Sequence, residues 1–232
     1  MNDRVAIGKR LDLPGALCKV RREEPRLQEG HSMARDLAPS DLQTGRQPPA
    51  APKLAFAHCG FHCVDLPRMV DFYQRVLGFT ETDRGVVRGL DIVFLSWDAR
   101  DHHQVALVSG RPDLSGFNHI NQLSFRVPSI HEVQAVWRRT KDEPGVHDTR
   151  GTNHGNAFAW YFRDPEGNRI EIFCDTPWYI AQPCIESLDL SKPADVILRE
   201  AEAFCRTMPG FRPVGDWEAD AARRIADHAA GR

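Results

Sequence analysis

The stretch from Leu54 to Phe79, "LAFAHCGFHCVDLPRMVDFYQRVLGF", and the stretch from Asn121 to Trp137, "NQLSFRVPSIHEVQAVW", read as two copies of one unit. In the first copy an apolar run reads as a strand. Asp65 then stands where an N-cap belongs, and Pro67 falls in the first turn of a helix. Leu66, Met69, Val70, Tyr73 and Leu77 recur at helical spacing, and Gly78 supplies the stop. In the second copy Ser129 and Glu132 form an S-x-x-E capping box, and Ile130, Val133, Val136 and Trp137 make the apolar face. Laid over one another so that His58 meets Gln122, the copies also pair Phe61 with Phe125, Asp65 with Ser129, Met69 with Val133 and Tyr73 with Trp137.

Apolar strand candidates follow each copy. "VVRGLDIVFLSW" and "HQVALVSG" come after the first, and "NAFAWYF" and "RIEIFCD" flank the turn "DPEGN" after the second. The chain is therefore an internal duplication of a βαβββ-like module, of α+β class. Module one is expected over residues 52–116, module two over 117–180, and a helical C-terminal extension over 181–232. Ser191 and Asp216 are the expected caps of that extension, which reads as a packing or dimerisation appendage. Residues 1–51 are rich in Arg, Glu, Gln and Pro with few aromatics. They are expected to be a disordered N-terminal extension, since they cannot bury enough apolar surface to offset their ordering entropy.

Composition narrows the function classes. The chain has 232 residues, 41% of them hydrophobic, and a formal charge of −2. That balance leaves no basic footprint for nucleic acid. No apolar run approaches the roughly 20 residues of a membrane helix. The N-terminus lacks the apolar core of a secretion signal, so the expected location is the cytoplasm, with the six cysteines reduced. Cys59 and Cys63 are not a CxxC pair, and no second Cys/His pair follows at zinc-finger spacing. Both are expected to be packing residues.

Three motifs, "HCGFHCVDL", "FYQRVLGF" and "DPEGNRIE", occur in that order. Together they resemble the vicinal oxygen chelate superfamily, which holds glyoxalases, antibiotic-resistance binding proteins and type I extradiol ring-cleavage dioxygenases. The resemblance covers roughly residues 54–180. It implies two tandem βαβββ modules forming a curled, partly open mixed sheet with a metal and substrate cleft. "HHQVAL", the "HG" of "TNHGN" and Tyr161 of "WYFRDPEGN" look like the dioxygenase branch.

In that branch Fe(II) is held by two histidines and a glutamate, leaving one face open for substrate and O₂. The resemblance puts the glutamate at Glu171, whose neighbours Ile170 and Ile172 would take the opposite face of the strand. It puts one histidine at His58. The second histidine is replaced by Gln122, so the implied metal set is His58, Gln122 and Glu171. Fe(II) is the implied ion, with Mn, Ni, Co or Zn as alternatives. His62 lies four residues along the strand from His58, roughly 13 Å, and cannot replace the missing ligand. His119 should point to the opposite face from Gln122.

His103 is the implied proton shuttle, suited by imidazole's titration near neutrality. Simple alternation sets 103 off the face of Ala106, so either the strand begins with a bulge or His102 does this work. Tyr161 would bond a substrate oxygen, and His154 would line the pocket mouth. The substrate implied is a small catechol-type aromatic, with O₂ as co-substrate, in a homodimer. Two alternatives stand beside this. One is a glyoxalase-type metal-dependent isomerase or lyase, whose members tolerate Gln as a ligand but use an acid where Ala106 stands. The other is a non-catalytic small-molecule-binding protein.

Overall fold

The computed structural model describes residues 54–116 and 120–231. The expected disorder of residues 1–51 and the orientation of His119 lie outside the described residues. The first half runs β1 (Cys59–His62), α1 (Leu66–Asp71) continuing into a π-helical turn (Phe72–Val76), β2 (Thr80–Val87), β3 (Leu90–Ser96) and β4 (Val105–Val108). The second runs β5 (Leu123–Arg126), α2 (Ile130–Thr140), β6 (His147–Asn153), β7 (Ala157–Arg163) and β8 (Arg169–Asp175). Then come β9 (Trp178–Tyr179), β10 (Glu186–Ser187), α3 (Ala194–Cys205), β11 (Arg212–Pro213) and α4 (Val214–Ala229).

Both helix starts have the expected chemistry. Asp65 Oδ1 accepts from Arg68 N at 3.1 Å, and Ser129 Oγ accepts from His131 N at 3.2 Å. Met69, Tyr73 and Val133 are fully buried, so the matched apolar positions form the core between helix and sheet. The first sheet has the order β1-β4-β3-β2, and the second β10-β6-β7-β8-β5. Edge strands β1 and β5 carry the same alternation of half-buried and exposed residues. They lie beside one another, since Phe61 and Leu123 wall one small cavity and Ala57 and Ser124 a larger one.

Three local readings differ from the sequence expectation. The run from Val86 to Trp97 is not one strand: Arg88 and Gly89, at φ 52° and 80°, turn it into the β2–β3 hairpin. Strands β2 and β6 escape apolar patterning because most of their side chains are exposed. Helices α3 and α4 start directly after Pro193 and Pro213 without a side-chain cap. Ser191 bonds Asp189 instead, and Asp216 sits inside the first turn of α4.

The turn between β7 and β8 locks the halves together, which explains the "DPEGN" motif physically. Glu166 is 4% exposed and accepts from Val64 N at 3.0 Å and Asp65 N at 2.7 Å, at the start of α1. Asp164 is fully buried, accepting from the backbone N–H of Glu166 and Asn168, from Asn168 Nδ2 at 2.8 Å, and from Tyr73 OH at 3.4 Å. Burial pushes the Asp164 carboxyl up to about 6.

The C-terminal extension is joined to the second sheet through β10, which pairs with β6. Tyr179 stacks on Trp217 of α4 with ring centres 5.4 Å apart. Among the described residues no helix is long and apolar enough to cross a membrane.

Candidate functional site

Register gathers the second half's chemistry on one rung. Ser124 of β5 is opposite Glu171 of β8, Glu171 opposite Tyr161 of β7, and Tyr161 opposite Arg150 of β6. Side chains at matched positions share a face, so these four project together. The corresponding rung of the first sheet is Gly60, Ala106, Phe94 and Asp83, and only Asp83 on it bears a charge. The duplicated halves have therefore diverged, and the polar cluster belongs to the second.

Glu171 is its centre, 8% exposed. Gln122 Nε2 donates to Glu171 Oε2 at 2.7 Å and to Ser124 Oγ at 3.1 Å, and Ser124 Oγ donates to the same carboxylate oxygen. Tyr161 OH donates to Oε1. His154 Nε2 lies 2.9 Å from Tyr161 OH, while its Nδ1 donates to the Cys184 carbonyl at 2.8 Å. Because that carbonyl requires the proton on Nδ1, neutral His154 offers Nε2 as an acceptor. The single Tyr161 proton then lies between this nitrogen and Glu171. Burial, and next the neighbouring Glu171, push the Tyr161 hydroxyl well above its ordinary value.

A second cluster forms in the first half. His58, exposed just before β1, packs its ring 4.2 Å from that of His103. His103 Nδ1 lies 3.0 Å from His102 Nδ1, and its ring is 4.8 Å from Phe94. Residues 102–104 precede β4 rather than forming its first turn, so His103 reaches His58 without a bulge. Burial, then His58 and His102, hold His103 below the ordinary imidazole range. His62 is exposed and bonds the Ser109 carbonyl at 2.9 Å.

Of the expected residues, the structure thus brings together Gln122, Glu171, Tyr161 and His154, and separately His58, His102 and His103. Among the described residues no hydrogen bond, ion pair or ring contact joins the two clusters. Nor is any group of three or more His, Cys, Asp or Glu placed to hold a metal ion. The set drawn from the sequence has two such side chains, its third member being an amide.

Ser124 and Arg150 were not anticipated. Ser124 had a legible signal, since it lies two residues after Gln122 and alternation puts both on one face. Arg150 had none, because "HDTRGTN" does not read as a strand. The C-terminal extension, expected as a packing or dimerisation appendage, also supplies the carbonyl that orients His154. Beside Ser124 a cavity of about 370 Å³ opens, walled by Ala57, Phe79, Trp97, Phe125 and Ile172.

Paired βαβββ halves with a carboxylate-centred polar cluster on one open sheet face define the class of protein. The chain belongs to the Glyoxalase/Bleomycin resistance protein/Dioxygenase superfamily, whose profile matches residues 55–172. It is 28% identical over 127 residues to biphenyl-2,3-diol 1,2-dioxygenase 3 of Rhodococcus globerulus, covering 51% of this chain and 62% of that protein. The chain thus spans less than two thirds of that relative's length.

Solved structures show similar folds. A glyoxylase/bleomycin resistance protein/dioxygenase domain from Frankia sp. EAN1pec is 17% identical, with a TM-score of 0.48, over 54% of this chain and all of that one. The fosfomycin resistance protein FosX from Listeria monocytogenes, complexed with Mn(II) and sulfate, is 18% identical with a TM-score of 0.41, over 53% of this chain and 93% of that one.

Proposed function

We propose that the protein is an extradiol-dioxygenase-like enzyme that opens the ring of a small aromatic vicinal diol with O₂. The metal would be a divalent ion, Fe(II) by preference, held by His58, Gln122 and Glu171. One observation carries the proposal: Gln122, Tyr161 and, through Tyr161, His154 converge on one buried carboxylate. The similarity to a protein named for a diol dioxygenase supports the substrate class.

Two of the donors suit a divalent ion: the Gln122 amide lies 2.7 Å from Glu171 Oε2, and a turn of that amide would present its carbonyl beside the carboxylate. A ligating carboxylate is itself hydrogen-bonded, as Ser124 and Tyr161 bond Glu171. His58 adds an exposed imidazole. When bound, the metal would supply Lewis acidity and a common seat for diol and O₂.

The chain's own residues supply the rest. His103 is the group that takes a proton from a diol hydroxyl and returns it. Tyr161, whose proton rests on Glu171 in the free protein, would turn that proton to a substrate oxygen when the diol binds, and His154 steadies the hydroxyl.

The test is anaerobic loading of the protein with Fe(II), followed by O₂ and a panel of catechols. O₂ uptake matched to diol loss, with a yellow ring-opened product, is expected. No product with any diol, while Gln122→His gains activity, excludes native ring cleavage. One observation favours a second reading, a metal-free binding protein: both Glu171 oxygens already accept bonds from the chain itself. That reading requires less than about a tenth of an equivalent of metal after reconstitution, whereas tight metal sites fill.

A further inference from the structure

Arg150 is a cation on the site's own rung with no anion of its own. It is exposed, and its guanidinium carbon lies 4.5 Å from the centre of the Tyr161 ring whose hydroxyl bonds Glu171. Among the described residues it makes no ion pair or hydrogen bond, and its contact is with that ring. The acid nearest in sequence is taken elsewhere: Asp148 lies 2.9 Å from Arg163 and 3.3 Å from Arg169.

The backbone explains this separation. The β6–β7 register shifts between His147 and Arg150, and Asp148 sits at φ 50°. Such an irregularity re-aims side chains. Here it serves Asp148 to two arginines at the sheet's far end and brings Arg150 level with Tyr161.

An arginine held through an aromatic ring keeps its N–H donors for a planar bidentate acceptor. On a sheet face the ring contact limits the guanidinium's freedom, so less ordering entropy opposes capture of a ligand. The ring it covers belongs to the tyrosine whose hydroxyl the proposed function turns toward the diol.

We propose that Arg150 makes this site selective for aromatic diols that carry a carboxylate, by pairing with that group. The inference rests on the proposed function and adds the substrate's charge to it. It is tested by calorimetry on Fe(II)-loaded protein under nitrogen. The probes are catechol and three acidic diols: 2,3-dihydroxybenzoate, 3,4-dihydroxybenzoate and 3,4-dihydroxyphenylacetate.

At least one acidic diol should bind about tenfold or more tighter than catechol, as a charge-assisted bidentate pair permits. Arg150→Met should bring that ratio to within about twofold. Arg150→Lys, which keeps charge but not the fork, should leave it in between. If catechol and all three acids bind alike to the unaltered protein, Arg150 only covers Tyr161 and the inference falls, with the diol reading intact. If the preference persists in Arg150→Met, another residue reads the carboxylate and the assignment is wrong. If no diol binds at all, the proposed function fails first and takes this inference with it.

Discussion

Replacing Glu166 by alanine tests whether one side chain from the β7–β8 turn holds the two halves together. Its carboxylate accepts from Asp65 N at 2.7 Å and Val64 N at 3.0 Å, with Arg111 Nη1 3.7 Å from Oε2. Hydrogen bonds to a charged acceptor contribute about 1.5–3 kcal/mol each, so the pair amounts to roughly 3–6 kcal/mol. The donors are at a partly exposed helix start, where water can replace part of the loss. We therefore expect Glu166→Ala to destabilise by about 3 kcal/mol, a large share of the 5–15 kcal/mol typical of a domain.

Glu166→Gln keeps one acceptor oxygen and should lose about half as much. Urea unfolding followed by tryptophan fluorescence reads both variants, and the alanine midpoint should fall by about 1–2 M. A change below about 0.5 kcal/mol, the level of an ordinary surface substitution, would refute the clamp.

Two other predictions follow from the same geometry. Burial raises Asp164 from 3.8 to about 6, so its favourable contribution is complete below 3.8 and disappears as pH climbs through about 6. Relative to Asp164→Asn, the unaltered protein should therefore lose about 2 kcal/mol between pH 4 and 7; denaturant midpoints measured across that range would contradict this if their difference stayed flat. A Cβ at Gly151 would run into the Leu188 carbonyl, whose own N–H donates to Gly151 O at 3.1 Å. Gly151→Ala should cost about 1–3 kcal/mol and expose residues 181–205 to limited proteolysis, and unchanged digestion would count against it.

How far the site could be read in advance differs residue by residue. Glu171 was legible from the resemblance carried by "DPEGNRIE", with Ile170 and Ile172 bracketing it on the opposite face of the strand. His103 was harder. Strand periodicity applied to "HHQVAL" assigned it to a strand, but the chain is still irregular at 102–104, where period-two reasoning has no hold. Arg150 was invisible because its strand is exposed from His147 to Arg150 and carries no apolar alternation. The link from Cys184 to His154 spans 30 residues and uses a backbone carbonyl, which has no residue type to recognise.

The amino-acid order by itself determined the duplication, both helices with their caps, and the family. These rest on local periodicity and short motifs, which the backbone geometry of neighbours imposes directly. Only the tertiary structure decided which candidate side chains meet. It drew Gln122, Tyr161 and His154 to one carboxylate, paired His58 with His103, and set Arg150 over the Tyr161 ring. The reason is that cross-strand register and the docking of one half on the other are set by non-local packing, and no pattern within a single strand encodes them.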